Sequence, residues 1–442
     1  MSVLRKPWRA IALILGLVLG AAACQENLAG GAACPSLCPD TLTVKDTLLT
    51  ASEMIDTEAT IAGLPPLGGE QQILIANYTQ GGLPIQSVAV LRFDSLVRVF
   101  PDTDTTHARR PLESFDSAGV SISVLAPPTG QDTVYIAGDS ITFLLYDVDT
   151  AAAELDTAAV HAKLAAPPIS SITLARDSAT GRSVSIPIDS GFIGQHVRAG
   201  KRIRLAVAVT NREGKNVRVR INTSDASSGA AALFYVAHAD TSRTFVSRTV
   251  NTRGSDGGAP IPGLADYMLV LQGTPPPPPG ILAAGGIPAS RALIRFNLPP
   301  QLVDSTTQIV RANLILHQQG SPAFTSTDTM ALAVRVVRAT PDVSDLLTAS
   351  LISAAPSSLN IALFPRTIAP TAIQADTIPL VGVFNFWKTE GIGKSQRAIL
   401  LTSSLENIDP RQYYFYSGAA ADPNLRPQLR ITYVPKSDFG LP

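Results

Sequence analysis

Apolar and polar side chains alternate with period two along several short stretches of this chain. In Ile203-Arg204-Leu205-Ala206-Val207-Ala208-Val209-Thr210 every odd position is branched and apolar, while the even positions are Arg, Ala, Ala and Thr. Val217-Arg218-Val219-Arg220-Ile221-Asn222 repeats the pattern. Such alternation predicts strands with one face packed and the other in solvent. The polar stretch 211–216, which contains Gly214, predicts a hairpin loop between these two strands. Ala89, Leu91 and Phe93 alternate in the same way, as do Ala292, Ile294 and Phe296, with Arg92 and Arg295 on the opposite faces. Helical spacing is scarce: 343–350 and 381–388 each predict a turn or two. Strands separated by Gly/Pro turns predict an all-β chain of antiparallel sandwiches.

An internal repeat organises these strands. Gly81-Gly82-Leu83-Pro84-Ile85-Gln86-Ser87-Val88-Ala89-Val90-Leu91-Arg92-Phe93 returns as Gly285-Gly286-Ile287-Pro288-Ala289-Ser290-Arg291-Ala292-Leu293-Ile294-Arg295-Phe296 with a one-residue gap. Asp139 to Leu145 is answered by Asp328 to Val334, and Ser185-Ile186-Pro187-Ile188 by Thr377-Ile378-Pro379-Leu380. The spacing implies two copies of one fold in the same order. It predicts a flexible tether over 24–44, one β-sandwich module over 45–244, a second over 245–436, and a tail over 437–442. In this phase the proline run 275–279 falls inside module two; a stiff linker is the competing reading.

Residues 1–9 carry Arg5, Lys6 and Arg9 without an acidic partner, and 10–19 are apolar. Ala21-Ala22-Ala23-Cys24 follows, so 1–23 reads as an export signal with small residues at its cleavage site. The small-small-Cys ending resembles the lipobox of bacterial lipoproteins, which implies that Cys24 receives lipid. Ala21-Ala22-Ala23 would also suit an ordinary signal peptidase. The apolar run is shorter than the ~18–20 residues a spanning helix needs. Of the three cysteines, lipidation of Cys24 would leave Cys34 and Cys38 as a disulfide pair in an oxidising compartment. Gln25, by resemblance to outer-membrane sorting, points to the outer membrane or cell surface. Loss of 1–23 takes the net charge from zero to −3, which gives no electrostatic case for nucleic acid. Only 16% of residues are charged, a composition suited to short strands and turns rather than long solvated helices.

The second half contains Arg291-Ala292-Leu293-Ile294-Arg295-Phe296-Asn297-Leu298-Pro299, Val310-Arg311-Ala312-Asn313-Leu314-Ile315-Leu316 and Val336-Val337-Arg338-Ala339-Thr340. It closes with Arg426-Pro427-Gln428-Leu429-Arg430-Ile431-Thr432-Tyr433. Over 265–434 this order resembles the DNRLRE domain, a family of jelly-roll-like sandwiches in exported proteins that is similar to carbohydrate-binding modules. The resemblance implies two tandem jelly-roll-like modules, the first a diverged copy. It supplies no binding residue.

Chemistry is sparse. No His-Glu-x-x-His, Cys-x-x-Cys, Gly-x-Ser-x-Gly or phosphate-cradling loop occurs, and His107, His161, His196, His238 and His317 stand apart from one another. Asp102 with Asp104, and Asp147 with Asp149, are carboxylate pairs of the kind calcium takes, but solvated carboxylates are the simpler reading. Trp387 is the only tryptophan after the signal; Trp387, Tyr414 and Tyr416 are the rings that could stack on a sugar, with packing as the default reading for the cluster. Arg204, Arg218 and Arg220 are expected to form an outward basic stripe able to take an acidic polysaccharide or lipid phosphate. The simpler reading is that they merely keep an exposed sheet soluble and discourage edge pairing. Three functions follow: a non-catalytic lipid-anchored glycan binder, a surface scaffold for protein partners, and a polysaccharide-acting enzyme in third place. No cofactor is expected, with a structural calcium ion kept as the one candidate.

Overall fold

The computed structural model describes residues 44–435, apart from 63–70, 81, 100–109, 128–135, 150–156, 213–215, 225, 227, 240–241, 250–264, 305–306, 322–328, 339–365, 370, 390, 394–395, 405 and 407. The first repeat supplies β1 (Lys45–Thr50), β2 (Ile55–Ala62), β3 (Gln72–Gln80), β4 (Leu83–Phe93), β5 (Ser114–Val124) and β6 (Ser140–Asp147). It continues with β7 (Ser170–Ala175), β8 (Arg182–Ile188), β9 (Ile203–Thr210), β10 (Val217–Asn222) and β11 (Ala232–Ala239). The second supplies β12 (Ser242–Thr249), β13 (Asp266–Gln272), β14 (Ile281–Gly285), β15 (Ser290–Phe296), β16 (Thr307–Gln319) and β17 (Met330–Arg338). It ends with β18 (Arg366–Ile368), β19 (Ala375–Pro379), β20 (Arg397–Ser403), β21 (Gln412–Tyr416) and β22 (Gln428–Pro435).

These strands form two antiparallel sheets of eleven strands each, so the chain is all-β. One runs β12-β11-β5-β10-β3-β4-β9-β6-β7, with β8 on β5 and β13 on β4. The other runs β1-β22-β16-β21-β14-β15-β20-β17-β18, with β19 on β16 and β2 on β15. The two pairing patterns superpose strand for strand. Even the irregularity recurs: β11 slips against β5 between Val236 and Ala237, and β16 slips against β22 between Ile309 and Arg311. A repeated bulge at one place in two copies marks common architecture.

The superposition shows an exchange. β1 and β2 open the first repeat, yet they pair with β22 and β15 of the second. β12 and β13 open the second repeat and pair with β11 and β4 of the first. Each repeat has given its leading strand pair to the other's sheet. The cores follow suit: Val246 and Met268 enter the first apolar core, Leu49 and Met54 the second. A full burial of such a side chain contributes about 1.5–3 kcal/mol.

This corrects three expectations. The contiguous modules 45–244 and 245–436 are not the two sheets, because phasing a repeat says which strands correspond but not which sheet they join. The proline run 275–279 connects β13 in one sheet to β14 in the other, so it is a connector between sheets. The strands expected to form a hairpin do not pair: β9 lies between β4 and β6, and β10 between β3 and β5. Neither strand has an exposed residue, and most of their residues are buried, which pattern alone cannot distinguish from one packed face.

Helices are more frequent than expected among the described residues. Ser190–Ala199 begins where the Asp189 carboxylate accepts the Phe192 amide at 3.0 Å and ends at Gly200 with φ 64°, the side-chain cap and left-handed stop that define such a helix. Its counterpart Val381–Thr389 matches the predicted one and buries Val383, Phe384, Phe386 and Trp387; 343–350 lies outside the described residues. The β14–β15 turn requires glycine at 285: its φ is 93°, and a Cβ there would meet the Arg411 carbonyl at 2.5 Å.

Candidate functional site

The residues singled out in the sequence fall in three places. Arg204 stands on β9 opposite Arg92 of β4. It is fully buried; its Nη2 donates to the Tyr267 hydroxyl at 2.7 Å and its guanidinium lies 5.7 Å from that ring's centre. Tyr267 belongs to β13, one of the exchanged strands. Around it Val88, Val90, Ala206 and Leu269 form a second apolar cluster, joined by Val160 from the helix Thr157–Lys163. The face expected to meet solvent is therefore covered. The alternation holds along β9, but the exchanged strand and the helix bury the polar side as well.

Arg218 is also buried, its guanidinium 5.0 Å from the centre of the Tyr78 ring. Arg220 is half-buried and donates to the Ala126 carbonyl at 3.0 Å and to Gln72 Oε1 at 3.5 Å. The three arginines thus form no exposed stripe. Other arginines hold carboxylates: Arg92 with Asp94 at 2.8 Å, Arg202 with Asp149 at 2.8 Å, Arg291 with Glu406 at 2.7 Å and Arg411 with Asp409 at 2.7 Å. Burial pushes the Glu406 carboxyl up, and the Arg291 hydrogen bond opposes the shift.

Trp387 is 1% exposed and packs at 5.5 Å from the Phe296 ring and 5.6 Å from Phe384. It is core. Tyr413 is buried and its hydroxyl donates to the Ile368 carbonyl at 3.2 Å. Tyr414 is buried too, which pushes its hydroxyl pKa up. Tyr416 keeps partial exposure.

The register reveals a correspondence between the two candidate sets. Ser87 and Ser290 are matched positions of the repeat; they lie opposite Ala76 and Gly285, which lie in turn opposite Arg218 and Gln412. Hence Arg220 matches Tyr414 and Asn222 matches Tyr416 on β10 and β21. One strand position carries arginine in one sheet and tyrosine in the other.

Sequence reasoning missed the residues that hold the exchanged strands. Glu58 on β2 lies opposite Ile294, and Asp266 on β13 lies opposite Leu91, so the two carboxylates occupy matched positions. Asp266 accepts the Ser224 amide and hydroxyl, each at 2.6 Å. Glu58 accepts the Gly418 amide at 2.7 Å, and 224 and 418 are matched positions after β10 and β21. Each exchanged strand is thus pinned by a carboxylate to the same loop of its host sheet. Burial pushes the Glu58 carboxyl above the usual range, against hydrogen bonds from the Gly418 and Ala419 amides and the Ser417 hydroxyl. The signal was present in the sequence: an acidic residue opens Glu58-Ala59-Thr60-Ile61-Ala62 and Asp266-Tyr267-Met268-Leu269-Val270 alike.

Asp149 is engaged by Arg202, and its own amide donates to Asp147 at 3.1 Å. Among the described residues, no three His, Cys, Asp or Glu side chains gather as metal ligands would. None of the helices there is long and apolar enough to cross a membrane. Cys24, Cys34, Cys38, Asp102, Asp104 and His107 lie outside the described residues. Compared with known proteins, the chain matches no family model, and no curated protein is similar to it.

Proposed function

We propose that this chain is an exported, lipid-anchored surface protein whose work is mechanical and interactive rather than catalytic: a double β-sandwich held on a tether as a scaffold for protein partners. The observation that carries this reading is the reciprocal strand exchange. It ties two sheets together through backbone ladders instead of a hinge, which suits a rigid spacer. The likeness of 265–434 to exported DNRLRE-like domains supports the surface setting, and the small-small-Cys ending at Cys24 supports the anchor. Glycan binding is the second reading, favoured by the partly exposed Arg220 and Tyr416 on the matched strands.

Two measurements test the proposal. Cys24→Ala should move the protein from membranes to the soluble exported fraction, because each buried lipid methylene contributes ~0.8 kcal/mol; unchanged retention would refute anchoring. On a glycan array the wild-type chain should bind nothing that Arg220→Gln with Tyr416→Ala abolishes. Specific binding lost in that double variant would replace the scaffold reading with the glycan one.

A further inference from the structure

We infer that the outer face of the first sheet carries a binding site for a neutral saccharide, with Phe245 and Phe234 as its stacking platform and the hydroxyls of β5 and β8 beside it. The inference does not rest on the scaffold reading, and it uses residues other than Arg220 and Tyr416.

Phe245 on β12 is 66% exposed. Its ring stacks on that of Phe234 on β11, with centroids 6.2 Å apart and planes 26° from parallel. Both point away from the core, which takes Leu233, Tyr235 and Val246 from the alternate positions. Phe234 lies opposite Gly119 of β5. A Cβ at 119 would meet the Phe234 ring at 2.7 Å and the Ile186 carbonyl oxygen at 2.9 Å, so glycine is what lets the ring lie over the strand. The two rings form an open shelf on the sheet.

The second sheet shows that the frame does not need these rings. Phe234 faces Gly119 as Arg430 faces Asn313, and Phe245 faces Val236 as Asp46 faces Thr432, so the register matches the two pairs. In the second sheet these positions hold an exposed ion pair, Arg430 with Asp46 at 2.7 Å, an ordinary solvated surface. An aromatic pair left in water at the same place serves no packing demand of the fold, the mark of a surface that meets something else.

The neighbouring side chains indicate what it meets. Ser117 and Ser121 of β5 and Ser183 and Ser185 of β8 share the outward face; Ser117, Ser183 and Ser185 are exposed, and the Ser121 and Ser183 hydroxyls lie 2.7 Å apart. By register Ser117 matches Arg311 and Ser121 matches Ile315, so these two hydroxyls, like the rings, belong to the first sheet alone. Serine is depleted at protein interfaces, whereas a hydroxyl that both donates and accepts suits a polyol. The slightly positive C–H face of a sugar ring lies on the negative face of an aromatic one, while its own hydroxyls reach sideways to polar groups that fix orientation. β5 and β11 contribute no lysine or arginine, so nothing on them selects an anion. β12, β11, β5 and β8 are consecutive neighbours, and three strand spacings give a shelf ~14 Å wide, room for about two or three linked sugar rings.

The test is affinity electrophoresis of the full chain, in mild detergent, through native gels containing dextran, mannan or mixed-linkage β-glucan, with polygalacturonate as the acidic comparison. At least one neutral polymer should retard the wild-type chain, and high salt should leave the retardation unchanged. Phe245→Ala should weaken it roughly tenfold, the equivalent of one lost ring contact. Phe234→Arg with Phe245→Asp, which installs the ion pair of the second sheet at its matched positions, should abolish it with little change in thermal midpoint; should that variant fail to fold, the exposed Phe245→Ala carries the test. Arg220→Gln with Tyr416→Ala should stay retarded. A wild-type chain retarded by no neutral polymer refutes the site, as does undiminished binding by Phe245→Ala. Retardation lost only in the Arg220 and Tyr416 variant would move the saccharide there and refute this shelf. Loss of self-association rather than of retardation in Phe245→Ala would assign the rings to a contact between copies and overturn the proposal.

Discussion

Replacing Arg204 with glutamine separates a surface charge from a structural one. The guanidinium is fully buried and donates to Tyr267 at 2.7 Å from 5.7 Å above that ring. Glutamine loses a charged hydrogen bond, about 1.5–3 kcal/mol, and a desolvated cation–ring contact, about 0.5–2 kcal/mol. A loss near 3 kcal/mol is expected, roughly a hundred-fold in the folding equilibrium. Arg220→Gln, on a half-buried side chain held by the Ala126 carbonyl, should cost under about 1 kcal/mol. Urea unfolding followed by circular dichroism gives both values, provided the slope against denaturant is unchanged. Because Tyr267 rides on an exchanged strand, amides of β13 should exchange faster in Arg204→Gln than those of β5. Equal midpoints for Arg204→Gln and wild type would refute the buried pair and restore the exposed stripe.

The raised Glu58 carboxyl means that the folded state holds the proton more tightly than the unfolded chain, so ionisation opposes folding above the folded pKa and the opposition vanishes below the unfolded one. Glu58→Gln keeps an acceptor for the Gly418 amide; it should be at least as stable as wild type at pH 7, with its advantage shrinking as pH falls through the carboxylate range. A destabilised Glu58→Gln at pH 7 would show that the charge itself holds β2. Trp387→Ala should lose about 3–5 kcal/mol as a core cavity opens. Wild-type Trp387 fluorescence should be blue-shifted and indifferent to added polysaccharide; quenching by a sugar polymer would place the ring at a surface.

The mistaken basic stripe shows where a strand pattern stops being informative. Ile203, Leu205, Val207 and Val209 do face a core, and Arg204 does point the other way. What the pattern left open was the far side of the sheet, where Tyr267, Leu269 and Val160 arrive from other elements. Trp387 is the reverse case: its packing against Phe296 and Phe384 followed the default for a large ring in a small core. The helix Ser190–Ala199 was legible in principle from Asp189 and Gly200, because a cap and a left-handed stop are local chemistry.

By itself the sequence determined the strands, their turns and the two-fold repeat, since period-two alternation, glycine at positive φ and recurring segments are properties of neighbours along the chain. Tertiary structure alone decided that β1–β2 and β12–β13 change places. Matched repeats offer nearly the same ladder, core slots and carboxylate pin to either donor, so local pattern scores the two arrangements alike. Non-local partners such as Asp56 with Arg295, or Tyr267 with Arg204, choose between them.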